Sequence, residues 1–377
     1  MKTRIGFDMR MAGEGFGIGH YAIDLMKALL RRNHPQFQYI LFFDRMFSRE
    51  AFEYFRSLSA ECRLVNARYY SLEEQYRLPK ILKSERLQLV HFPNFNAPIL
   101  YSKPFVVTIH DLIHHHFPGT KLSHIFHRAA YRAIISHSAR NARKIIAVSE
   151  ASKSDIINLL HVPDAKIQVV HEGVSEIFKQ KLPPEQIERV KRALGISSSY
   201  ILFVGVWRRY KNLGLLSRVF DRLREEGHDL QLVLVGTMDK NYPLVKEEIY
   251  SIRNSKSIVA TGLVSSENLQ ALYQGASCLV NPSLLEGFGL PMIEAQASGL
   301  PVASSDIPVA REILGHTAAY FDPRSEVSAE HAISRLLSDQ AFSAGLAAAG
   351  RANVPRFSWD KCAKETEDIY EAALKSF

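Results

Sequence analysis

Short apolar runs alternate with amphipathic stretches along the whole chain. Lys2–Phe7, Gln38–Phe43, Leu87–Phe92, Phe105–Ile109, Lys144–Val148 and Ile167–Val170 are each bounded by polar or turn residues, and each predicts a strand. His20–Arg31 and Lys121–Arg143 lie between them and predict helices. The pattern restarts at Tyr200–Val204 and continues through Leu230–Val235, Ser257–Ala260, Ser277–Asn281, Pro301–Ala303 and Ala318–Phe321. Near-continuous apolar strands alternating with helices predict parallel sheets buried on both faces. Two such series predict an α/β protein of two doubly wound domains, residues 1–175 and 176–356, with an interdomain cleft. Ligands are then expected beyond the carboxyl ends of the strands. Gly173–Ser199, with Pro183-Pro184 and a polar helix at Glu185–Leu194, reads as the hinge. The tail, 357–377, predicts an amphipathic helix capped by Ser358 and is expected to pack back on the first domain.

A chain of 377 residues suits two domains of ordinary size. No run approaches the ~18–20 apolar residues that a membrane span needs. The start, Met1 to Asp8, reads as a strand rather than a signal peptide. Cys62, Cys278 and Cys362 lie far apart without CxxC spacing, which fits a reducing, cytoplasmic compartment. The net charge of +8 is unevenly placed: residues 1–180 carry 25 basic and 16 acidic side chains, the remainder 22 and 23. Between Asp111 and Glu150 there is no acid, but Lys121, Arg128, Arg132, Arg140, Arg143, Lys144 and six histidines occur. That block, 121–144, predicts an anionic partner or simply a solvated helix face.

The richest chemistry lies in Asn281-Pro-Ser-Leu-Leu-Glu286-Gly287-Phe288-Gly289-Leu290-Pro291-Met-Ile-Glu294. A buried strand ends at Asn281, a glycine-rich loop follows, and Pro291 suits the first turn of a helix. The helix N-terminus offers N–H groups and partial positive charge to a phosphate or to sugar hydroxyls. Glu286 in the loop and Glu294 one turn into the helix bring two carboxylates to one ligand from different depths.

This Glu-Gly-Phe-Gly-Leu-Pro-x-x-Glu segment resembles the signature of retaining glycosyltransferases of family 4, which have the GT-B fold. Gly17-Ile-Gly19-His-Tyr21, His91-Phe-Pro-Asn-Phe-Asn-Ala-Pro98, Val107-Thr-Ile-His110-Asp111, Ala147-Val-Ser149, Phe203-Val-Gly205…Lys211-Asn212, Thr261-Gly-Leu-Val264 and Phe357-Ser-Trp359 are similar to that family too. The likeness runs in order along essentially the whole chain. It implies two Rossmann-like domains with the active site between them. Glu294 would hold the ribose hydroxyls, and Glu286 the transferred sugar, with backbone N–H groups of Gly287, Phe288 and Gly289, beside Leu290, assisting. Lys211 would neutralise the diphosphate. The arginine that often precedes it is Tyr210 here, so Arg208 or Arg209 is expected to bring the second charge, with a slight preference for Arg209. Val264 would meet the nucleobase through its backbone. Gly17 and Gly19 would form an opposing loop, and His110 would lie beside the transferred sugar.

The resemblance implies a hexosyltransferase acting in surface polysaccharide assembly. GDP-mannose is the first expected donor and a UDP-hexose the second, with a glycan or lipid-diphosphate-linked acceptor. No cofactor is expected, and no metal, since no Asp-x-Asp pair occurs. His114-His115-His116 lacks an HExxH context and a third ligand, so it reads as acceptor-side or surface rather than zinc. Two other classes are weighed and set aside. Nicotinamide binding fails because the glycines of Gly13–Gly19 stand too far beyond the strand ending near Phe7. Nucleic-acid binding through 121–144 lacks any accompanying motif. The basic block instead predicts peripheral contact with an anionic membrane at its inner face.

Overall fold

The computed structural model of the chain describes residues 2–13, 17–46, 48–117 and 125–375. Lys121 of the basic block and Glu14 to Phe16 of the glycine stretch lie outside the described residues. The chain forms two compact units: Met1–Leu112, Leu122–Gly173 and Ser358–Phe377 make the first, and Ile113–Lys121 with Val174–Phe357 the second.

The first unit is a seven-stranded sheet. In chain order its strands are β1 (Thr3–Asp8), β2 (Phe37–Asp44), β3 (Glu61–Val65), β4 (Leu89–Phe92), β5 (Phe105–Ile109), β6 (Lys144–Ala147) and β7 (Ile167–Val169). They are arranged β3-β2-β1-β4-β5-β6-β7, and every pairing is parallel. The order reverses between β1 and β4, and a ligand crevice is expected outside the carboxyl ends at such a reversal. Helix Gly17–Arg32 covers one face and buries Tyr21, Ala22, Leu25, Met26 and Leu29. The C-terminal helix, Trp359–Lys375, packs beside it and adds Trp359, Cys362, Ile369, Tyr370 and Ala373 to the same core. Ser358 caps that helix, its Oγ accepting the Asp360 N–H at 3.2 Å. Gly173 lies so close to this segment that a Cβ there would run into the Trp359 backbone.

The second unit repeats the plan with six strands: β8 (Ser199–Val204), β9 (Leu230–Val235), β10 (Ile258–Gly262), β11 (Cys278–Asn281), β12 (Val302–Ser305) and β13 (Ala319–Phe321). Their order is β10-β9-β8-β11-β12-β13, again parallel, with the reversal between β8 and β11.

Three expectations need correction. β3 carries no prediction, because an edge strand with half-exposed Glu61 and Arg63 lacks a continuous apolar run. Residues 113–121, assigned by sequence to the first domain, belong to the second unit. The physical reason is local: Tyr242 Oη donates to the Phe117 carbonyl at 3.0 Å, and the Phe117 ring packs 6.1 Å from Tyr210. Gly17 and Gly19 are not loop residues. They open the helix Gly17–Arg32, so any ligand there would meet a helix N-terminus.

Candidate active site

On the second unit, the expected residues converge on the carboxyl ends of β8 and β11. Lys211 ends a short 3-10 turn, Arg209–Lys211, directly after β8. Asn212 follows in the left-handed conformation and ties that turn down, its Nδ2 donating to the carbonyls of Pro282 (3.1 Å) and Pro323 (2.9 Å). Leu284 N–H donates to the Tyr210 carbonyl at 2.8 Å, so the loops after β8 and β11 move as one.

This fixes Lys211 Nζ 2.6 Å from Glu286 Oε1, which Ser283 Oγ also approaches at 2.7 Å. Both partners are largely buried. Burial pulls the Lys211 pKa down, but the charge and hydrogen bond of Glu286 outweigh it and the net shift is upward, which keeps the ammonium charged. Beyond Glu286, the chain turns through Gly289 at φ 88° into the helix Leu290–Ala297, with Pro291 in its first turn. That positive φ favours glycine; a Cβ at 289 would also press on the terminal methyl of Met292, which can move aside. The Phe288 side chain is core, its ring 5.7 Å from Phe357, which leaves only its backbone for a ligand. One turn into the helix, Glu294 Oε2 accepts the Tyr273 hydroxyl at 2.8 Å.

The two candidate arginines differ. Arg208 is held by Asp239, Nε to Oδ2 at 2.7 Å. Arg209 is exposed on the turn. Tyr210 is buried and carries no charge to the site. Val264 is half-buried in the loop between β10 and the helix Ser266–Gly275. A pocket of about 350 Å³ opens beside these strand ends, lined by Trp207, Thr237, Met238, Lys246, Tyr250 and Gly262 among others. The buried indole N–H of Trp207 has no hydrogen-bond partner among the described residues.

The first unit holds a second cluster. His110, at the end of β5, is fixed through both ring nitrogens: Nδ1 lies 3.1 Å from Glu172 Oε1, and Nε2 lies 2.9 Å from the Pro93 carbonyl. Burial pulls its pKa down, but Glu172 outweighs this and the net shift is upward. Two acceptors on two nitrogens are satisfied together by the imidazolium. The Tyr21 ring meets the His110 ring edge-on at 4.7 Å. Tyr21 Oη is 3.0 Å from Thr108 Oγ1, which is 2.8 Å from His91 Nε2; His91 Nδ1 is 2.7 Å from the Tyr370 hydroxyl. Burial lowers the His91 pKa to about 3, so this ring is neutral and relays one donor and one acceptor. The motif residues Tyr21, Thr108 and His91 are thus one polar chain anchored on the C-terminal helix, with the His110 ring packed against its Tyr21 end.

Sequence reasoning missed Glu172, Ser283, Tyr273 and Asp239. Glu172 lies just past β7, where the strand-end rule applied to every strand marks it; Ser283 lies inside the Asn281–Glu294 motif but was given no role, and Tyr273 and Asp239 sit in segments without a motif. In the basic block, Arg143 and Lys144 are used internally, bonding the Ala373 and Ala165 carbonyls at 2.7 and 2.9 Å. Arg128, Arg132 and Arg140 are exposed. Among the described residues, no three His, Cys, Asp or Glu side chains are placed to hold a metal, and no helix is long and apolar enough to cross a membrane.

Residues 17–176 match the family described as Glycosyltransferase Family 4, and residues 185–353 match Glycosyl transferases group 1. The chain is 27% identical over 296 residues to an uncharacterised glycosyltransferase of Methanocaldococcus jannaschii, covering 76% of this chain and 74% of that one. It is also 27% identical over 304 residues to O-antigen chain mannosyltransferase B of Escherichia coli, covering 80% and 79%. Anabaena HepE, solved with UDP and glucose, shares the fold at TM-score 0.78 and 18% identity, over 98% of this chain and 100% of that one. The two matched halves, the parallel sheets and the homologous enzymes agree: this chain belongs to the family-4 glycosyltransferases of the GT-B fold.

Proposed function

We propose that the chain is a retaining mannosyltransferase that moves mannose from GDP-mannose to a hydroxyl of a glycan or lipid-diphosphate-linked acceptor in surface polysaccharide assembly. The observation that carries this reading is the 2.6 Å Lys211–Glu286 salt bridge beside the helix start at Gly289–Pro291, one turn from Glu294. A diphosphate would draw Lys211 away from Glu286, leaving that carboxylate for sugar hydroxyls. Lys211, the helix N-terminus and Arg208 or Arg209 would then stabilise the charge growing on the departing phosphate. That phosphate oxygen takes the proton of the incoming hydroxyl on the same face of the sugar, so no protein nucleophile is needed. Glu294 takes the ribose hydroxyls, and the pocket beside Trp207 and the backbone at Val264 take the base. His110, an imidazolium held by Glu172, serves the transferred sugar by positioning.

Mannose is favoured over other hexoses by the named mannosyltransferase relative. The second reading, a UDP-hexose donor, follows the fold neighbour solved with UDP. A thermal-shift panel of GDP, UDP, ADP and their sugar conjugates separates the two, because the bound nucleotide stabilises by RT ln(1 + [L]/Kd). A chain stabilised only by UDP compounds overturns the GDP assignment, and an inverted product anomer overturns retention. The reading includes metal-independent turnover, unaffected by EDTA, in the cytoplasm. It also includes reversible docking to anionic membrane through exposed Arg128, Arg132 and Arg140, measured by liposome flotation at low salt.

A further inference from the structure

The donor reading leaves unused the loops after β3 and β4 and the start of helix Ile125–Asn141 on the first unit. Tyr70 stands there, 53% exposed, with its backbone at φ 57°. A bulky residue in the left-handed region is unfavourable and persists only where its surroundings impose it. Here they do. The Tyr70 N–H donates to Glu74 Oε2 at 3.0 Å, its hydroxyl accepts Asn94 Nδ2 at 2.7 Å, and its ring stacks on Phe95 at 5.9 Å. Glu74 is itself fully buried and gripped by Arg10 (2.6 Å) and Asn96 (2.8 Å). Arg10, equally buried, is bonded twice to Asp8 at the end of β1, at 2.8 and 2.7 Å. A rigid ionic knot under the sheet's carboxyl edge therefore holds one aromatic ring out toward solvent.

The surface continues. Phe95 meets Tyr131 edge-on at 5.2 Å. Tyr131 stands in the helix Ile125–Asn141 that follows β5 in the chain, and the carboxyl end of β5 leads through His110 to Asp111. Three aromatic rings and one carboxylate thus share the carboxyl edge of β3, β4 and β5, where parallel α/β sheets receive ligands.

We propose that Tyr70, Phe95, Tyr131 and Asp111 form a subsite for a saccharide of the acceptor, the pyranose C–H face lying on the Tyr70 ring and its hydroxyls donating to Asp111. The assignment as acceptor rests on the transferase reading above; the binding of sugar does not. Aromatic rings with polar edges suit a ring that is apolar on its faces and wet at its rim. A carboxylate accepts paired hydroxyl donors well but repels an anionic lipid surface, so this patch is distinct from the arginines assigned to membrane.

The test is saturation-transfer NMR of the full chain with methyl α-mannoside, methyl α-glucoside and methyl α-galactoside, comparing wild type with Tyr70→Asn and Asp111→Asn. Asparagine tolerates the left-handed backbone, so Tyr70→Asn should remain cooperatively folded while binding sugar roughly fivefold more weakly. Stabilisation by GDP should be unchanged in both variants. Equal sugar binding by wild type and Tyr70→Asn overturns the proposal, as does the absence of transfer from wild type to all three glycosides. Loss of binding to phosphatidylglycerol vesicles in Tyr70→Asn, with sugar contacts intact, overturns it in favour of a lipid surface. If sugar contact depends on Tyr70 but no nucleotide stabilises the chain, the donor reading fails and the subsite stands.

Discussion

Replacing Lys211 separates two things that one side chain does. In the folded chain its ammonium neutralises Glu286 at 2.6 Å, and both side chains are largely buried (13% and 9% exposed). Lys211→Ala leaves that carboxylate with Ser283 as its remaining near donor among the described residues. Breaking a buried pair from one side typically costs roughly 3–5 kcal/mol. For a unit of this size that lowers the melting temperature by roughly 10 °C. On the proposed reading catalysis would lose a separate quantity, the charge meeting the departing diphosphate, worth about 10²–10³ in kcat by comparison with other removed transition-state donors. The discriminating variant is Lys211→Ala combined with Glu286→Gln, which removes the orphaned charge as well. It should recover most of the lost stability in a calorimetric melt, yet show no recovery of turnover in a GDP-release assay with GDP-mannose. Should the double variant regain turnover together with stability, Lys211 would merely be a counter-ion for Glu286, and the assignment to the diphosphate would fail.

Glu172→Gln should lower the His110 titration, followed by NMR of the ring proton, since burial is then opposed only by the Pro93 carbonyl and Asp111. Because the folded-state pKa is raised, the pair's contribution to stability is fully present below about pH 6.5 and is lost as pH rises through the folded value; the variant's melting temperature should lack this dependence. Tyr370→Phe leaves the buried Nδ1 of His91 without its partner and should cost about 1–3 kcal/mol in denaturant unfolding, whereas Tyr273→Phe, at a less enclosed carboxylate, should cost about 1 kcal/mol and weaken stabilisation by GDP. Gly173→Ala places a methyl group against the Trp359 backbone and should destabilise by about 1–3 kcal/mol or more, with the C-terminal helix becoming the first protease-sensitive segment; resistance equal to wild type would refute the packing argument.

Strands buried on both faces were legible because their apolar runs are unbroken: Phe105–Ile109 and Leu230–Val235 match their predicted bounds residue for residue. β3 was not, since Glu61 and Arg63 interrupt it and satisfy themselves laterally, Arg63 bonding Glu85 and Glu61 at 2.7 and 2.6 Å. The donor loop was legible as a motif, and the structure brings Lys211 and Glu286 together across 75 residues. Their mutual pairing was not readable, because spacing carries no information about which side chain neutralises which. Arg10 illustrates the limit most clearly. Its sequence setting, Asp8-Met-Arg10-Met, reads as the polar end of a strand, and only the arrival of Glu74 from a distant helix makes burial of a guanidinium affordable. The attachment of Phe117 was equally hidden, since the contacts seen there are a backbone carbonyl bonded to Tyr242 and a ring beside Tyr210.

The last helix belongs to the core that the first residues begin. During synthesis, β1 to β7 leave the ribosome long before Trp359, Ile369 and Tyr370 exist to cover their share of that core. Until then His91 lacks its tyrosine and Arg32 its partner Glu367, whose carboxylate lies 2.8 Å away in the finished unit. The second unit has no such debt and can close on its own contiguous stretch from Val174 to Phe357, apart from the short segment 113–121. The nascent chain is therefore expected to complete its later-made half first and its earlier-made half last, so that premature termination just after Phe357 would yield an intact second unit joined to an unfinished first one.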